Sequence, residues 1–338
     1  MLFNRLPGIG LDIGSRKVRV VWIQREKAGL RIIKFGSMQT PAGMVEAGTI
    51  IDPVGLGTQI GVLIRRLNLT GKRVVTAVGG QQIYIRNLIM PCLKPDELRA
   101  AVYYQAVTFL PIPVEEAALD IFPIRQFGDK GGRKIEVFFL AVRRQQVDDI
   151  VLTCQSAGLK PAVVEIEPLA LYRAWGGDDA IVVALLAIGS ARSYFTVFNK
   201  GIPVFYRSMA ANHTAFYKSF NQPESNVITV RGKIEDSGEG HYNYLFNDLI
   251  NEVKTARDYY ELQTRNGNGD KSIEKILLCG GSAIRGLKAG LALGLGLEVE
   301  LVAANTLQRL LLPVNISDAE KLELQNDFSL ALGLAARR

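Results

Sequence analysis

The sequence predicts an α/β fold of two similar domains, each built on a β-meander, with an α+β subdomain inserted into the first. First, a glycine–serine loop follows an apolar run twice, at residues 10–15 and 186–190. Second, each copy leads into two further strands joined by a tight turn. Third, an apolar run at 276–279 ends in a pair of glycines. Self-similarity of this kind indicates a duplicated domain.

The two repeated loops have the composition of phosphate-binding turns. Gly14 and Gly189 lack a Cβ, so the backbone can approach a bound group closely. Ser15 and Ser190 add a hydroxyl and a backbone amide, which suit a phosphate oxygen. One strand that ends in Gly-Ser is usually only a hairpin, but two copies in equivalent positions predict two phosphate loops that face one cleft.

Each half is predicted to open as strand, glycine turn, strand, tight turn and strand. The first meander occupies residues 1–36, and the second domain begins at Ala180. Apolar residues from Leu245 to Tyr260 recur at helical spacing and predict a long helix. Residues 214–220 also have the pattern of a helix.

The segment at 82–164 predicts the inserted subdomain. An alternating strand precedes a helix that opens at Pro95, a residue that suits the first helical turn. Two more strands, a helix at 145–157 and a strand at 161–166 complete a compact unit. The predicted division of the chain is 1–81 for the first domain, 82–164 for the insert, 165–179 for a connecting helix, 180–325 for the second domain and 326–338 for a terminal helix that packs back on the first domain.

Composition narrows the functional classes. The chain has 338 residues, 48% of them hydrophobic, which suits two or three domains with sizeable cores. The net charge of +7 comes from scattered basic residues, so we expect no nucleic-acid binding. Three widely spaced cysteines indicate reduced thiols in the cytoplasm, and the two histidines predict no transition-metal site. Without a signal peptide or a run of about 20 apolar residues, we expect no membrane anchor.

The ordered set of motifs resembles the actin-like ATPase superfamily, which has two phosphate motifs and a late adenosine motif. Within it the chain resembles the FtsA/PilM group, and most specifically the PilM family of type IV pilus assembly proteins. This resemblance implies an actin-like, ribonuclease H-like fold. FtsA relatives usually end in an amphipathic helix, whereas this sequence stops after a core-like helix, which favours PilM. The matching segments are residues 12–15, 74–80, 88–91, 96–98, 110–112, 157–159, 280–282 and 332–335.

The resemblance implies that the cleft binds ATP with Mg²⁺. It places Asp12 as the carboxylate that holds Mg²⁺ through waters. Glu167 is the candidate for orienting a water, although a charged residue is also ordinary at a helix start. Lys254 and Arg257 on the long helix are either solvated or beside the adenine. The predicted nucleotide-binding residues are Asp12, Gly14, Ser15, Lys17, Gly189, Ser190, Arg192, Lys254, Arg257, Gly280, Gly281 and Ser282.

Two departures from the family bear on catalysis. Ala187 stands where the second phosphate loop normally carries an aspartate, and residues 210–212 replace a glycine pair. Loss of a carboxylate from the cleft affects hydrolysis more than nucleotide binding. We therefore predict an ATP-binding protein whose ATPase activity is weak or absent.

The resemblance implies a cytoplasmic scaffold of type IV pilus or related secretion assembly, held at the inner membrane face by a PilN-like inner-membrane protein. The tail of that partner is expected to dock between the insert and the first domain. Two further interactions stay open, namely binding to pilus motor or platform proteins and self-association of the chain. The alternatives are a small-molecule kinase of the same fold, for which no catalytic aspartate stands out, and an FtsA-like cell-division protein. The predicted partner-binding residues are Tyr84, Leu88, Tyr103, Tyr104, Val107 and Leu110.

Overall fold

A computed structural model describes most of the chain. The described residues are 8–46, 48–80, 83–129, 132–190, 193–210, 239–265, 272–280, 286–302, 310–313 and 316–338. The predicted helix at 214–220, Arg192, Gly281 and Ser282 lie outside them.

Strands dominate the described residues. They are β1 (Ile9–Ile13), β2 (Lys17–Glu26), β3 (Gly29–Gln39), β4 (Val45–Glu46), β5 (Thr49–Ile50), β6 (Arg73–Val78), β7 (Ile83–Pro91), β8 (Ala117–Asp129), β9 (Gly132–Arg143), β10 (Lys160–Ile166), β11 (Val182–Ile188), β12 (Ser193–Asn199), β13 (Ile202–Met209), β14 (Lys275–Cys279), β15 (Glu298–Leu301) and β16 (Leu310–Leu311). The described α-helices are α1 (Pro53–Arg66), α2 (Pro95–Ala106), α3 (Arg144–Ser156), α4 (Glu167–Trp175), α5 (Glu239–Arg265), α6 (Leu287–Leu295), α7 (Asp318–Asp327) and α8 (Ser329–Ala335).

The two large sheets share one strand order, which confirms the predicted duplicated meander. The first runs β10-β6-β1-β2-β3-β16, and the second runs β15-β14-β11-β12-β13 when read in the same direction. In each sheet the opening strand pairs antiparallel with the next strand and parallel with a later one. Leu11 of β1 lies opposite Val20, and Leu186 of β11 lies opposite Phe195 at the equivalent position. Helices cover the sheets, so β11 is buried along its whole length and reads as a continuous apolar run.

The insert is a three-stranded sheet, β7-β9-β8, with α2 on one face. Its helix begins as the sequence predicts, with Pro95 in the first turn and the Glu97 carboxylate accepting from the Lys94 amide at 3.3 Å. The other face of the sheet turns toward the first domain, where Ile83 and Val142 join the core that contains Ile150 of α3. Strand β10 pairs with β6 in the first large sheet, and α3 contributes Ile150 to the core of that sheet, so these two elements, predicted as part of the insert, pack with the first domain. The exact domain boundaries stay predictions.

Helix α8 lies directly on β1 and α4. A Cβ at Gly10 of β1 would collide with the Ala331 carbonyl and the Ala335 amide. A Cβ at Gly333 would collide with the Ala170 carbonyl of α4. Glycine at these two positions therefore permits backbone-to-backbone packing that any side chain would prevent.

Candidate functional site

A cleft of about 590 Å³ lies where the ends of β1, β6, β11 and β14 meet. Both glycine–serine loops contribute to its wall, together with the start of α4 and the junction of α7 and α8. The fold therefore brings most of the predicted site residues together, although they are far apart in the chain. Those that line the cleft are Asp12, Gly14, Ser15, Lys17, Glu167, Gly189, Ser190 and Gly280.

The first loop is held in place by hydrogen bonds within its own hairpin. The Gly14 amide donates to the Lys17 carbonyl at 3.1 Å, and the Thr40 hydroxyl donates to the Gly14 carbonyl at 2.6 Å. Because the Gly14 amide is already used, a bound phosphate must take its donors from other groups of the loop. The loop is thus a fixed turn that borders the cleft.

Arg19 is a cleft residue that the sequence analysis missed. It lies directly opposite Asp12 across the β1–β2 ladder, and its guanidinium donates to the Asp12 carboxylate at 3.2 Å. Burial raises the pKa of Asp12, which is 8% exposed, and Arg19 offsets part of that rise. The Arg19 Nε atom is buried without a hydrogen-bond partner in the described part of the chain. Arg19 stands between the buried Val18 and Val20 of β2, and a cation at that place, in register with Asp12, is the signal that could have found it.

Lys17 reaches away from the loop toward α7. Its ammonium group donates to the Asp327 carboxylate at 3.1 Å and to Glu323 at 3.4 Å. Arg19 also lies 3.7 Å from the Asp327 carboxylate. Lys17 and Arg19, beside the first phosphate loop, are therefore already paired with carboxylates of the same chain.

The second loop lacks the charges that correspond to Asp12 and Arg19. Ala187 and Asp12 occupy equivalent positions, each two residues before the loop glycine, and Ala187 lies opposite Tyr194 where Asp12 lies opposite Arg19. Ala187 is 6% exposed and lines the cleft. At these paired positions the duplicated hairpin therefore carries a carboxylate and a cation in the first domain, and Ala187 and Tyr194 in the second.

Glu167 begins α4 and is partly exposed to the cleft. Burial, and then the negative charge of Asp12, raise the pKa of Glu167 to about 7. The Tyr194 hydroxyl lies close enough to lower that pKa in part, although the two groups make no hydrogen bond of normal geometry. A Cβ at Gly79 would collide with the Glu167 carboxyl, so the glycine leaves room for it. A carboxyl that titrates near neutral pH can orient or deprotonate a water.

Gly280 has a structural role as well as its predicted one. Its φ of +75° is the left-handed region, and a Cβ would collide with the Ile188 carbonyl of the neighbouring strand. The glycine therefore lets the ends of β11 and β14 approach at the cleft. Its predicted contact with adenosine stays a prediction, because residues 281–285 lie outside the described residues.

Two predicted residues lie away from the cleft. Arg257 donates to the Leu295 carbonyl at 3.1 Å and to the Asp258 carboxylate at 2.9 Å, so it caps the end of α6. Lys254 is half-buried on α5 and does not line the described cleft. The expected contact of both residues with adenine remains a prediction.

The cleft fits a nucleotide better than it fits a bare metal ion. Within the described ranges, no group of three or more histidine, cysteine or acidic side chains is placed to hold a metal. The cavity is large enough for a nucleotide, and its border includes close-packed glycines and three cations, Arg16, Lys17 and Arg19. Asp12 is the cleft carboxylate predicted to hold Mg²⁺ through waters, and Glu167 is the one predicted to orient a water. Both roles stay predictions.

The six predicted partner-binding residues do not share one surface. Leu88 is 4% exposed and belongs to the core of the insert, which corrects its placement in a groove. Tyr84 and Leu110 pack against the same core. Of the six, only Tyr103 and Tyr104 of α2 and Val107, directly after its end, form an exposed apolar face, with exposures of 39%, 75% and 59%.

A larger groove of about 2000 Å³ separates the insert from the first domain. It lies between β8 and β10, and in the described part of the chain β8 pairs with β9 alone and β10 with β6 alone. Phe122 and Leu140 face it from the insert, and Val164 and Glu165 face it from β10. Two sheet edges therefore flank one open groove.

Comparisons with known proteins identify the family and the fold. The family model described as "Type IV pilus assembly protein PilM" matches residues 10–338. A solved "PilM-PilN type IV pilus biogenesis complex" is similar, with a TM-score of 0.78, 21% identity and coverage of 98% of each chain. MreB5 of Spiroplasma citri bound to ADP has a TM-score of 0.50 at 11% identity, covering 89% of this chain and 93% of that one. These likenesses confirm the predicted actin-like fold. None of the described helices has the length and apolar composition needed to span a membrane.

Proposed function

Because the chain belongs to the PilM family of type IV pilus assembly proteins, we propose that it is a nucleotide-binding scaffold of pilus assembly. It docks the short N-terminal tail of a PilN-like inner-membrane protein and holds a nucleotide between its two domains. The observation that carries this proposal is a pair of cavities on either side of the junction between β10 and α4. One is a polar cleft bordered by two glycine loops, and the other is an open groove bordered by two sheet edges.

The proposed ligand of the cleft is ATP with Mg²⁺. Lys17 and Arg19 supply positive charge beside the first loop, and Gly14 and Gly280 remove side chains from its walls. The similar MreB5 structure is bound to ADP, which supports an adenine nucleotide as the ligand class. When bound, Mg²⁺ neutralises phosphate charge, and the Asp12 carboxylate would receive its waters.

The proposed site for the partner tail is the groove between β8 and β10. Phe122, Leu140 and Val164 provide apolar contacts along it. An extended segment can add main-chain hydrogen bonds at a sheet edge, and side-chain pockets then give specificity. The solved complex named above contains PilN with PilM, which supports a PilN-like partner for this chain. The exposed face of Tyr103, Tyr104 and Val107 is the alternative tail site.

This proposal places the protein in the cytoplasm, at the inner face of the membrane, where its partner holds it. As further interactions we propose binding to pilus motor or platform proteins and self-association of the chain. Turnover of ATP is proposed to be weak or absent, because Ala187 brings no carboxylate to the cleft. The family match to a pilus assembly protein also disfavours the kinase alternative. The family match favours PilM over an FtsA-like role.

Binding of a synthetic cognate tail to the full chain, followed by fluorescence anisotropy, tests the scaffold proposal. We expect Phe122→Asp to abolish binding, since this side chain is 56% exposed in the groove. Tyr104→Asp should leave binding unchanged. Leu293→Asp, at a residue 90% exposed on α6, is the control for a charge added elsewhere on the surface.

The reverse pattern, with binding lost only in Tyr104→Asp, would place the tail on α2. Affinity weaker than about 1 mM, roughly −4 kcal/mol, with nucleotide present and absent, would overturn the scaffold proposal. Calorimetry with ATP and Mg²⁺ tests the nucleotide part separately, so the two parts fail independently.

A further inference from the structure

Helix α7 places two carboxylates on Lys17 and Arg19, two of the three cations beside the first phosphate loop. Asp327 lies 3.1 Å from the Lys17 ammonium and 3.7 Å from the Arg19 guanidinium. Glu323, one turn earlier, lies 3.4 Å from Lys17 and accepts from the Ser37 hydroxyl at 2.9 Å. These are the cations that the proposed nucleotide needs, and Asp327 itself lines the cleft.

The position of Asp327 is unfavourable for a carboxylate in isolation. It is the last residue of α7, where the partial negative charge of the helix C-terminus disfavours an anion. Burial is the main cause that raises the pKa of Asp12, and the negative charge of Asp327 adds to it. Lys17 and Arg19 are the groups that compensate both effects. Asp327 therefore depends on these cations.

Helix α7 has few other attachments to the fold. Leu324 is its single buried residue, whereas five of its ten residues are exposed and four are half-buried. By contrast, the next helix is fixed at its start, where the buried Phe328 packs edge-on against Phe35 with centroids 5.6 Å apart and the Ser329 hydroxyl donates to the Val302 carbonyl at 2.9 Å. The boundary between a loosely held and a firmly held segment falls at Phe328.

We propose that Asp327 and Glu323 act as an internal anion, which the phosphates of the nucleotide displace from Lys17 and Arg19. Nucleotide binding is then coupled to release of α7 from the first loop, while α8 stays in place. This inference rests on the proposed nucleotide binding and deepens it, because it names the groups that set the affinity. A phosphate chain carries more negative charge than one carboxylate, so it competes for the same two cations through stronger charge-assisted hydrogen bonds.

Calorimetry with ATP, ADP and inorganic tripolyphosphate, each with Mg²⁺, tests the proposal on the full chain. Asp327→Asn removes the charge but keeps the side-chain size, and we expect it to raise the affinity by about tenfold, or about 1.4 kcal/mol. Glu323→Gln should act in the same direction with a smaller effect, since Glu323 touches one of the two cations. Asp318→Asn, at a side chain 99% exposed in the first turn of the same helix, is the control and should change nothing.

A second measurement does not depend on affinity. Amide hydrogen exchange should accelerate in residues 318–327 when ATP and Mg²⁺ bind to the unmodified chain, and should stay slow in residues 329–335. The internal-anion proposal would be overturned if the unmodified chain and Asp327→Asn bound nucleotide with equal affinity, or if binding slowed exchange in residues 318–327. Either result would leave nucleotide binding itself intact. If neither protein binds any of the three probes, the nucleotide part of the proposed function fails as well. Binding by Asp327→Asn alone would support both.

Discussion

Glu165 faces the groove between the insert and the first domain, whereas Glu167, two residues later, faces the nucleotide cleft. The change of side occurs where β10 ends and α4 begins. Glu165 is held from two directions, by a bidentate pair with Arg173 at 2.8 and 2.9 Å and by a close contact with Arg337. The two candidate binding sites therefore share one strand-to-helix junction.

Removing the charge at Glu165 should destabilise the fold. Its side chain is 3% exposed, so Glu165→Gln leaves two guanidinium groups without their carboxylate partner. We expect a loss of about 1–3 kcal/mol in the free energy of unfolding, below the range for a fully buried pair because both arginines are partly exposed. Urea unfolding measures it. Glu116→Gln, which breaks a surface pair with Arg143, is the control and should cost less than about 1 kcal/mol.

Glu167 should make stability depend on pH between about 4.5 and 7. Its pKa is about 7 in the folded chain and 4.5 as the ordinary value. Because the pKa is raised in the folded chain, the contribution of the Glu167 carboxyl to stability is fully present below pH 4.5 and is lost as pH rises through 7. Glu167→Gln removes this titration. Its free energy of unfolding should therefore exceed that of the unmodified chain by up to about 3 kcal/mol at pH 8.

The measurement for Glu167 is urea unfolding at pH 4.5, 6 and 8 without nucleotide or Mg²⁺. A constant difference between the two proteins across this range would show that the carboxyl keeps its ordinary pKa.

Substitution of Arg19 should weaken nucleotide binding, whereas substitution of Arg257 should leave it nearly unchanged. Arg19→Gln removes a cation that lines the cleft, and we expect the affinity for ATP to fall by about 10- to 100-fold, the range of a charged hydrogen bond. Arg257→Gln removes the cap on the Leu295 carbonyl and should lower stability with little change in affinity. Calorimetry and thermal unfolding of both variants measure these effects. An affinity loss in Arg257→Gln would instead place this residue beside the adenine.

Turnover should be far below the typical enzyme rate of about 10 per second. The reason is that Ala187 supplies no charge where Asp12 stands in the other loop. Ala187→Asp should raise any measurable rate, with an upper bound of about 10²- to 10³-fold for one well-placed group. Ala187→Asn is the matched control of similar size, and phosphate release measures the rate. If the unmodified chain reaches the typical rate, the alanine at position 187 in place of the family's aspartate does not limit ATP hydrolysis.

The sequence by itself determined the duplicated architecture and the two loops. Gly14 and Gly189 repeat with their flanking strands, and such a pattern is local, so it can be read without knowing the fold. Equivalent strands then take equivalent places in the two sheets, which is why both loops meet at one cleft. Substitution of Ala187 was also visible in the sequence, because its position is defined by the repeat.

Only the tertiary structure decided which side chains face which partner. Lys17 and Asp327 are 310 positions apart, so no local pattern connects them, and their 3.1 Å contact exists because α8 packs on β1 and delivers α7 to the first loop. The alternation of β7 and the spacing of α2 mark Leu88 and Tyr104 equally as apolar, yet packing buries the first at 4% exposure and leaves the second 75% exposed. The physical reason is that burial and ion pairing depend on which surfaces meet in space, whereas the sequence specifies each surface separately.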